Sequence, residues 1–149
     1  MIAVRNVQRR RAVSAFEATI VLGVFLMLVL GMIEMGVCVS QSNLVAAAAR
    51  EGTRQAMVHG EYSSSPWGPA ALGPIDGNAA DPLAQAVMAM LVGVDPATVT
   101  IQAVWLDGDN EVDHRVQVTV TIQHAMVLAA LLGFDSLTLT SNSTMQITH

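Results

Sequence analysis

The stretch ATIVLGVFLMLVLGMI occupies residues 18–33 and contains no charged residue. As an α-helix it would be about 24 Å long, slightly shorter than the roughly 30 Å hydrocarbon core of a bilayer. A helix over residues 13–39 covers that core and includes Glu17 and Glu34 near its two ends. Because these acids would be about 25 Å apart along the axis, they can lie at opposite interfaces. The stretch therefore predicts a single transmembrane segment.

Charges are distributed unevenly around this segment. All seven cations are arginine, and four of them precede the apolar run, namely Arg5, Arg9, Arg10 and Arg11. Removing residues 1–12 would leave three arginines and twelve acids, which changes the net charge from −5 to −9. A basic tip before an apolar run indicates an N-terminus in the cytoplasm. The acidic remainder argues against a nucleic-acid partner, because phosphate neutralisation needs clustered cations.

Four interpretations of the apolar run can be compared. A cleaved secretory signal needs small residues soon after its core, and the nearest such run, residues 46–49, is too far downstream. A lipoprotein signal would need a small residue before Cys38, where Val37 stands. Two interpretations fit the sequence. One is a plain uncleaved anchor. The other is a helix in which the early acid, Glu17, has a function, since an acid inside an apolar helix is costly to keep.

The helix is predicted to continue beyond the membrane. Residues 40–58 contain no proline and one glycine, and residues 46–49 are all alanine, the best helix former. A stripe of mostly small residues follows a 4-3-4-3-4 spacing on one helical face, namely Cys38, Ser42, Val45, Ala49, Gly52 and Ala56. A helix over residues 13–58 would be about 69 Å long. Such a helix is too long to be only an anchor, so its second half is expected to pack against a neighbour.

The rest of the chain predicts a small antiparallel sheet. Residues 59–80 are rich in Gly, Pro and Ser and predict a loop. Asp81 and Pro82 form an N-cap with proline at the first helical position, which predicts a short helix that ends at Gly93. Apolar and polar residues then alternate in three strands, at residues 99–105, 116–122 and 137–147. The ten apolar residues 125–134 are too short to span a bilayer and predict a buried connector.

These elements predict an α+β fold in which a long, partly transmembrane N-terminal helix packs on a small antiparallel sheet. The predicted organisation has five segments. They are a basic cytoplasmic leader (1–12), a transmembrane segment (13–39), an extracytoplasmic continuation of the helix (40–58), a loop (59–80), and a short helix with a three-stranded sheet (81–149). The apolar face of the sheet needs a cover, and the small-residue stripe on the long helix is the expected one.

This plan resembles that of type IV pilin-like proteins, and three segments resemble the TadE family of tight-adherence pilus assembly proteins. RRRAVSAFE at residues 9–17 is similar to the family's arginine-rich tip and processing site. GMIEMG at residues 31–36 is similar to its GIIEFG, and AAAREGTR at residues 47–54 is similar to its AAREGAR. The last of these segments contains the family-motif residues Arg50, Glu51, Gly52 and Arg54.

The resemblance implies cleavage by a prepilin peptidase on the cytoplasmic face, between Ala12 and Val13. The family normally has Gly where this chain has Ala12. Cleavage would make Glu17 the fifth residue of the mature chain, where its carboxylate could neutralise the new N-terminal ammonium inside an apolar bundle. Glu34 is either an interfacial residue or an assembly contact with a partner helix.

The resemblance further implies a minor pilin or pseudopilin, a non-catalytic component of tight-adherence pilus assembly. It would be anchored once in the inner membrane, with its C-terminal domain in the periplasm. Its partners would be the membrane, a prepilin peptidase, other pilins or pseudopilins, and the assembly platform, with no nucleic acid and no small-molecule substrate. The alternative is an uncleaved single-pass membrane protein whose extracytoplasmic domain binds another envelope component.

Sequence patterns for catalysis or cofactors are lacking. The chain contains no G-x-S-x-G, H-E-x-x-H, P-loop or GxGxxG pattern, so we expect neither an enzyme nor a cofactor. The acid-dense residues 107–113 lack the glycine at position six and the glutamate at position twelve of an EF-hand loop. They predict a solvated hairpin turn. The four histidines are scattered, and no metal site is predicted.

Overall fold

A computed structural model describes residues 2–126, 133 and 136–148, with side chains from residue 14 onward. The connector predicted at residues 125–134 lies mostly outside these described residues. The side chains of Ala12 and Val13, at the predicted processing site, also lie outside them.

The long helix, α1, runs without a break from Ile2 to Met57. The second helix, α2, spans Pro82–Met90, and a 3₁₀ turn spans Pro96–Thr98. The sheet consists of β1 (Leu72–Asp76), β2 (Val99–Trp105), β3 (Arg115–His124) and β4 (Leu137–Gln146). Its spatial order is β1-β2-β3-β4, and every neighbouring pair is antiparallel. This arrangement confirms the predicted α+β fold class.

The sheet has one strand more than the sequence predicted. Strand β1 lies inside residues 59–80, which were predicted to be a loop throughout. Its sequence, LGPID, contains Gly73 and Pro74, and the pairing register with β2 shifts between Leu72 and Ile75. Such an irregular strand has no period-two alternation, which is the signal on which strand prediction depends. The three strands predicted within residues 81–149 are present.

The short helix begins as predicted and ends earlier. The Asp81 carboxylate accepts a hydrogen bond from the Leu83 N–H at 2.8 Å, which satisfies one of the unpaired donors of the first turn. The helix ends at Met90 rather than at Gly93. Gly93 lies beyond the C-cap with φ +80°, a conformation that glycine adopts without strain.

Only the C-terminal part of α1 packs on the sheet. Its buried residues recur at helical spacing, namely Val45, Ala48, Ala49, Gly52, Thr53 and Ala56. They contact β3, β4 and α2, so the prediction that the small-residue stripe covers the sheet is confirmed from Val45 onward. Further back on the same stripe, Ser42 is exposed and Cys38 is partly exposed.

The alternation predicted for the strands decides which side chains are buried in the core. Val99, Ile101 and Ala103 of β2, and the valines and Ile122 of β3, are fully buried. In β4 the odd-numbered side chains are half-buried and the even-numbered ones are exposed. The opposite face of the sheet carries Thr, Gln and Asn, as the sequence predicted. The core is therefore a single layer between α1, α2 and the sheet.

Candidate functional site

The N-terminal part of α1 exposes a long apolar surface. Apart from the half-buried Val29, the large apolar side chains from Phe16 to Val39 are 41–75% exposed. Soluble domains rarely expose a contiguous apolar surface of this kind. Within the described residues, the helix from Ser14 to Met57 is long and apolar enough to cross a membrane, and no residue of its most apolar window is buried. The apolar surface ends close to the point where burial against the sheet begins, at Val45.

The two acids of this segment lie at its two ends and do not meet. Glu17 is exposed and Glu34 is half-buried. They are seventeen residues apart on an unbroken helix, which is about 25 Å along its axis. A site formed by both carboxylates of one chain is therefore excluded by geometry. The two carboxylates could belong to one site only if different molecules contributed them.

Gly52 of the predicted family motif lies at the joint between α1, α2 and the sheet. A Cβ atom at this position would be 2.8 Å from Val87 Cγ2 and 3.1 Å from Val118 Cγ1, both closer than a normal contact. The neighbouring Thr53 is fully buried. Its hydroxyl is 2.7 Å from the Ala49 carbonyl and 3.2 Å from the Ser143 carbonyl. The glycine thus permits a close approach of α1, which the Thr53 hydroxyl stabilises.

The charged residues of the same motif point away from this joint. Glu51 accepts a hydrogen bond from Gln55 Nε2 at 2.9 Å, and its carboxylate is 3.7 Å from the Arg54 guanidinium. Arg50 is exposed, and among the described side chains it has no ion-pair partner. The motif therefore combines one packing residue with charges that are available at the surface.

The β2–β3 turn carries a group of charged side chains that are hydrogen-bonded to one another. The Asp107 carboxylate accepts hydrogen bonds from the Arg115 backbone N–H at 2.8 Å and from its guanidinium at 2.7 and 3.1 Å. These bonds lower the pKa of Asp107 to about 2 and raise the pKa of Arg115. The His114 ring bonds to Asp109, and this hydrogen bond raises the pKa of His114.

The same turn contains three residues that could hold a metal ion. One ligand atom from each of Asp109, Glu111 and His114 lies within 4.8 Å of the other two, and all three side chains are exposed or half-exposed. In the sequence, these acids depart from the EF-hand pattern and His114 is one of four scattered histidines, so no metal site was predicted here. The spacing D-x-E-x-x-H across a tight turn was the signal that could have grouped them.

The loop after α1 is fixed against this turn. His59 and Trp67 stack with their ring centroids 4.1 Å apart. The Asn110 side chain, which is 9% exposed, donates from Nδ2 to the Trp67 carbonyl at 3.0 Å. The Asn110 carbonyl accepts from the Glu61 N–H at 3.1 Å. These contacts hold residues 59–67 beside the hairpin, although this part of the chain has no regular structure.

These features define a class of α+β proteins in which one helix is long enough both to cross a membrane and to form the core of a small domain. Residues 12–54 match the family model of the TadE-like proteins, the family that the three sequence segments resemble. Neither a curated protein nor a solved structure matches the chain. That family is one of pilus components and is not known for catalysis, and the match implies association with a membrane and with pilus components.

Proposed function

We propose that the chain is a minor pilin or pseudopilin that takes part, without catalysing a reaction, in assembling a tight-adherence pilus. The observation that carries this proposal is the position of the family match. It begins at Ala12, includes the whole exposed apolar surface of α1, and ends at Arg54, where the helix is packed on the sheet. The matched segment thus includes both the candidate membrane span and its joint with the folded domain.

The proposed topology has one inner-membrane span, with residues 1–12 in the cytoplasm and the sheet domain in the periplasm. The clustered arginines at the N-terminus support this orientation. A prepilin peptidase would cut between Ala12 and Val13. Ala12 is small, like the glycine that the family normally has at this position.

Glu17 is proposed to hold the subunit in register with its neighbours. After cleavage, the ammonium of Val13 and the carboxylate of Glu17 would enter an apolar helix bundle together. Either charge alone is costly to bury, whereas the pair attracts strongly in a low dielectric. Glu34 would make a second contact with a partner helix, one membrane thickness away. The remaining proposed partners are other pilins or pseudopilins and the assembly platform.

The decisive experiment measures the intact mass and N-terminal sequence of the membrane-extracted protein, with and without its prepilin peptidase. We expect a mature chain that starts at Val13 only when the peptidase is present. Ala12→Gly, which restores the family's residue, should be cut at least as completely, and Ala12→Phe should remain uncut. An N-terminus at Met1 in every case would refute processing and favour the alternative, an uncleaved anchor with a binding domain.

The assembly role of Glu17 has its own test. Glu17→Gln keeps the size and hydrogen-bonding capacity of the side chain and removes its charge. We expect the variant to be inserted and cut normally but to reduce the number of pili on the cell surface. The matched control is Glu61→Gln, because Glu61 is an exposed acid outside α1. Normal piliation in Glu17→Gln would show that the charge has no role in assembly.

A further inference from the structure

The two edges of the sheet differ in how well they are protected from pairing with another chain. Strand β1 is five residues long and contains Gly73, Pro74, Asp76 and a register shift. Short length, proline, charge and bulges are the devices that keep edge strands from pairing. Strand β4, at the other edge, has ten residues, LTLTSNSTMQ, with no charge, proline or glycine. It therefore has none of these devices.

The backbone groups that β4 directs outward can be identified from its register. Ile147 N–H donates to the His114 carbonyl at 2.8 Å, and the same register continues along the β3–β4 pair. Because hydrogen-bonded positions alternate in an antiparallel ladder, the odd-numbered residues of β4 bond to β3. The even-numbered residues direct their N–H and C=O groups away from the sheet, namely Thr138, Thr140, Asn142, Thr144 and Gln146. Within the described part of the chain, no backbone group bonds to them.

A positive charge lies beside this edge. The Thr53 hydroxyl is hydrogen-bonded to the Ser143 carbonyl of β4. Arg50 precedes Thr53 by three residues, and residues at this spacing share a helix face. Arg50 is therefore on the β4 side of α1, where it is exposed and unpaired among the described side chains. A strand added to β4 would therefore lie on the same side of α1 as Arg50.

We propose that the outer edge of β4 binds an extended segment of a different protein, which adds a fifth strand and places a carboxylate near Arg50. Backbone hydrogen bonds would supply the affinity, as in other cases of strand addition. The ion pair with Arg50 would select the partner. This interaction surface lies on the folded domain, so it does not depend on pilus assembly or on cleavage at Ala12.

A second copy of the chain is a poorer occupant for two reasons. Antiparallel pairing of β4 with itself requires a two-fold axis perpendicular to the sheet. That axis would reverse α1 in the second copy, so the two apolar helices could not enter one membrane from the same side. In addition, β4 contains no carboxylate that could neutralise Arg50 of its neighbour.

The test uses the full chain in its native membrane, with the photoreactive residue benzoylphenylalanine at Thr140. The matched control carries the same residue at Gln102, which is exposed on the same face of an inner strand. We expect an adduct from position 140 and none from position 102. In the position 140 protein, Asn142→Pro removes one outward N–H, and edge strands tolerate proline at such positions. It should reduce the adduct about tenfold, whereas Asn142→Ala should leave it within about twofold.

Charge reversal at Arg50 is an independent test on another element. Arg50→Glu should also reduce the adduct about tenfold, whereas Arg54→Glu, one helical turn away and already paired with Glu51, should not. No adduct at position 140, an adduct of twice the chain's mass, or equal loss in Asn142→Ala and Asn142→Pro would overturn the proposal. If Asn142→Pro fails to fold, as judged by thermal unfolding, the Arg50→Glu result decides alone, and an undiminished adduct would overturn the proposal.

Discussion

A methyl group at Gly52 tests whether the close approach of α1 to the domain is a real constraint. In Gly52→Ala the new Cβ would lie 2.8 Å from Val87 Cγ2 and 3.1 Å from Val118 Cγ1. Both neighbours are fully buried and β-branched, so neither can rotate away freely. Overpacking of this kind costs about 1–3 kcal/mol. Alanine regains about 1 kcal/mol of helix propensity, so we expect a net loss of about 1 kcal/mol.

The assay is thermal unfolding of the full chain in mild detergent, followed by circular dichroism. A loss of about 1 kcal/mol should lower Tm by about 4 °C for a domain of this size. Gly36→Ala is the matched control, because a Cβ at Gly36 meets nothing within 4 Å. It should not lower Tm. If Gly52→Ala is as stable as Gly36→Ala, the steric argument is wrong.

A double-mutant cycle identifies the contact that is responsible. Val87→Ala removes the Cγ2 atom nearest to the new methyl group and should cost about 2 kcal/mol alone. Added to Gly52→Ala, it also relieves the clash, so the double variant should lose about 1 kcal/mol less than the two single losses combined. Additive losses would show that Val87 is not the obstacle.

Three further predictions concern the β2–β3 turn. Asn110→Ala should lower the free energy of unfolding by about 1–2 kcal/mol, because it removes a hydrogen bond to the preceding loop, and chemical denaturation measures this loss. Since the pKa of Asp107 is lowered to about 2, its contribution to stability should be present above about pH 4 and be lost as the pH falls towards 2. In Arg115→Ala, an NMR titration should find the pKa of Asp107 raised part of the way towards 3.8, because the guanidinium is lost while the backbone N–H of residue 115 still donates to the carboxylate, and an unchanged low value would contradict the assigned cause. Since the pKa of His114 is raised, its contribution should be complete below pH 6.5 and be lost at higher pH, and Asp109→Asn should weaken that pH dependence, because it removes the largest cause of the shift.

The elements with strong periodicity could be predicted from the sequence. The helix, the three alternating strands and the N-cap at Asp81 each leave a pattern among residues that are close in the sequence. Strand β1 could not be predicted, because Gly73 and Pro74 interrupt its alternation and its partner β2 comes more than twenty residues later. The extent of the buried stripe was also not predictable, since the sheet covers α1 only from Val45 onward.

The candidate site was predictable to a different degree in each of its parts. Gly52 was placed on the packing face by helical spacing alone, and the structure adds the atoms that it approaches. The group of Asp109, Glu111 and His114 arises from a turn conformation that no short motif encodes. The roles expected for Glu17 and Glu34 stay predictions, because they depend on other molecules.

The continuity of α1 has a mechanical consequence. Val45, the first residue buried in the domain, follows Val39, the last exposed large apolar residue of the apolar segment, by six positions, a distance of about 9 Å along the axis. There is no proline in that interval, and the helix does not break anywhere between Ile2 and Met57. A force that pulls, rotates or tilts the apolar segment is therefore transmitted to the sheet without a hinge. The position and orientation of the sheet domain therefore follow those of the apolar segment.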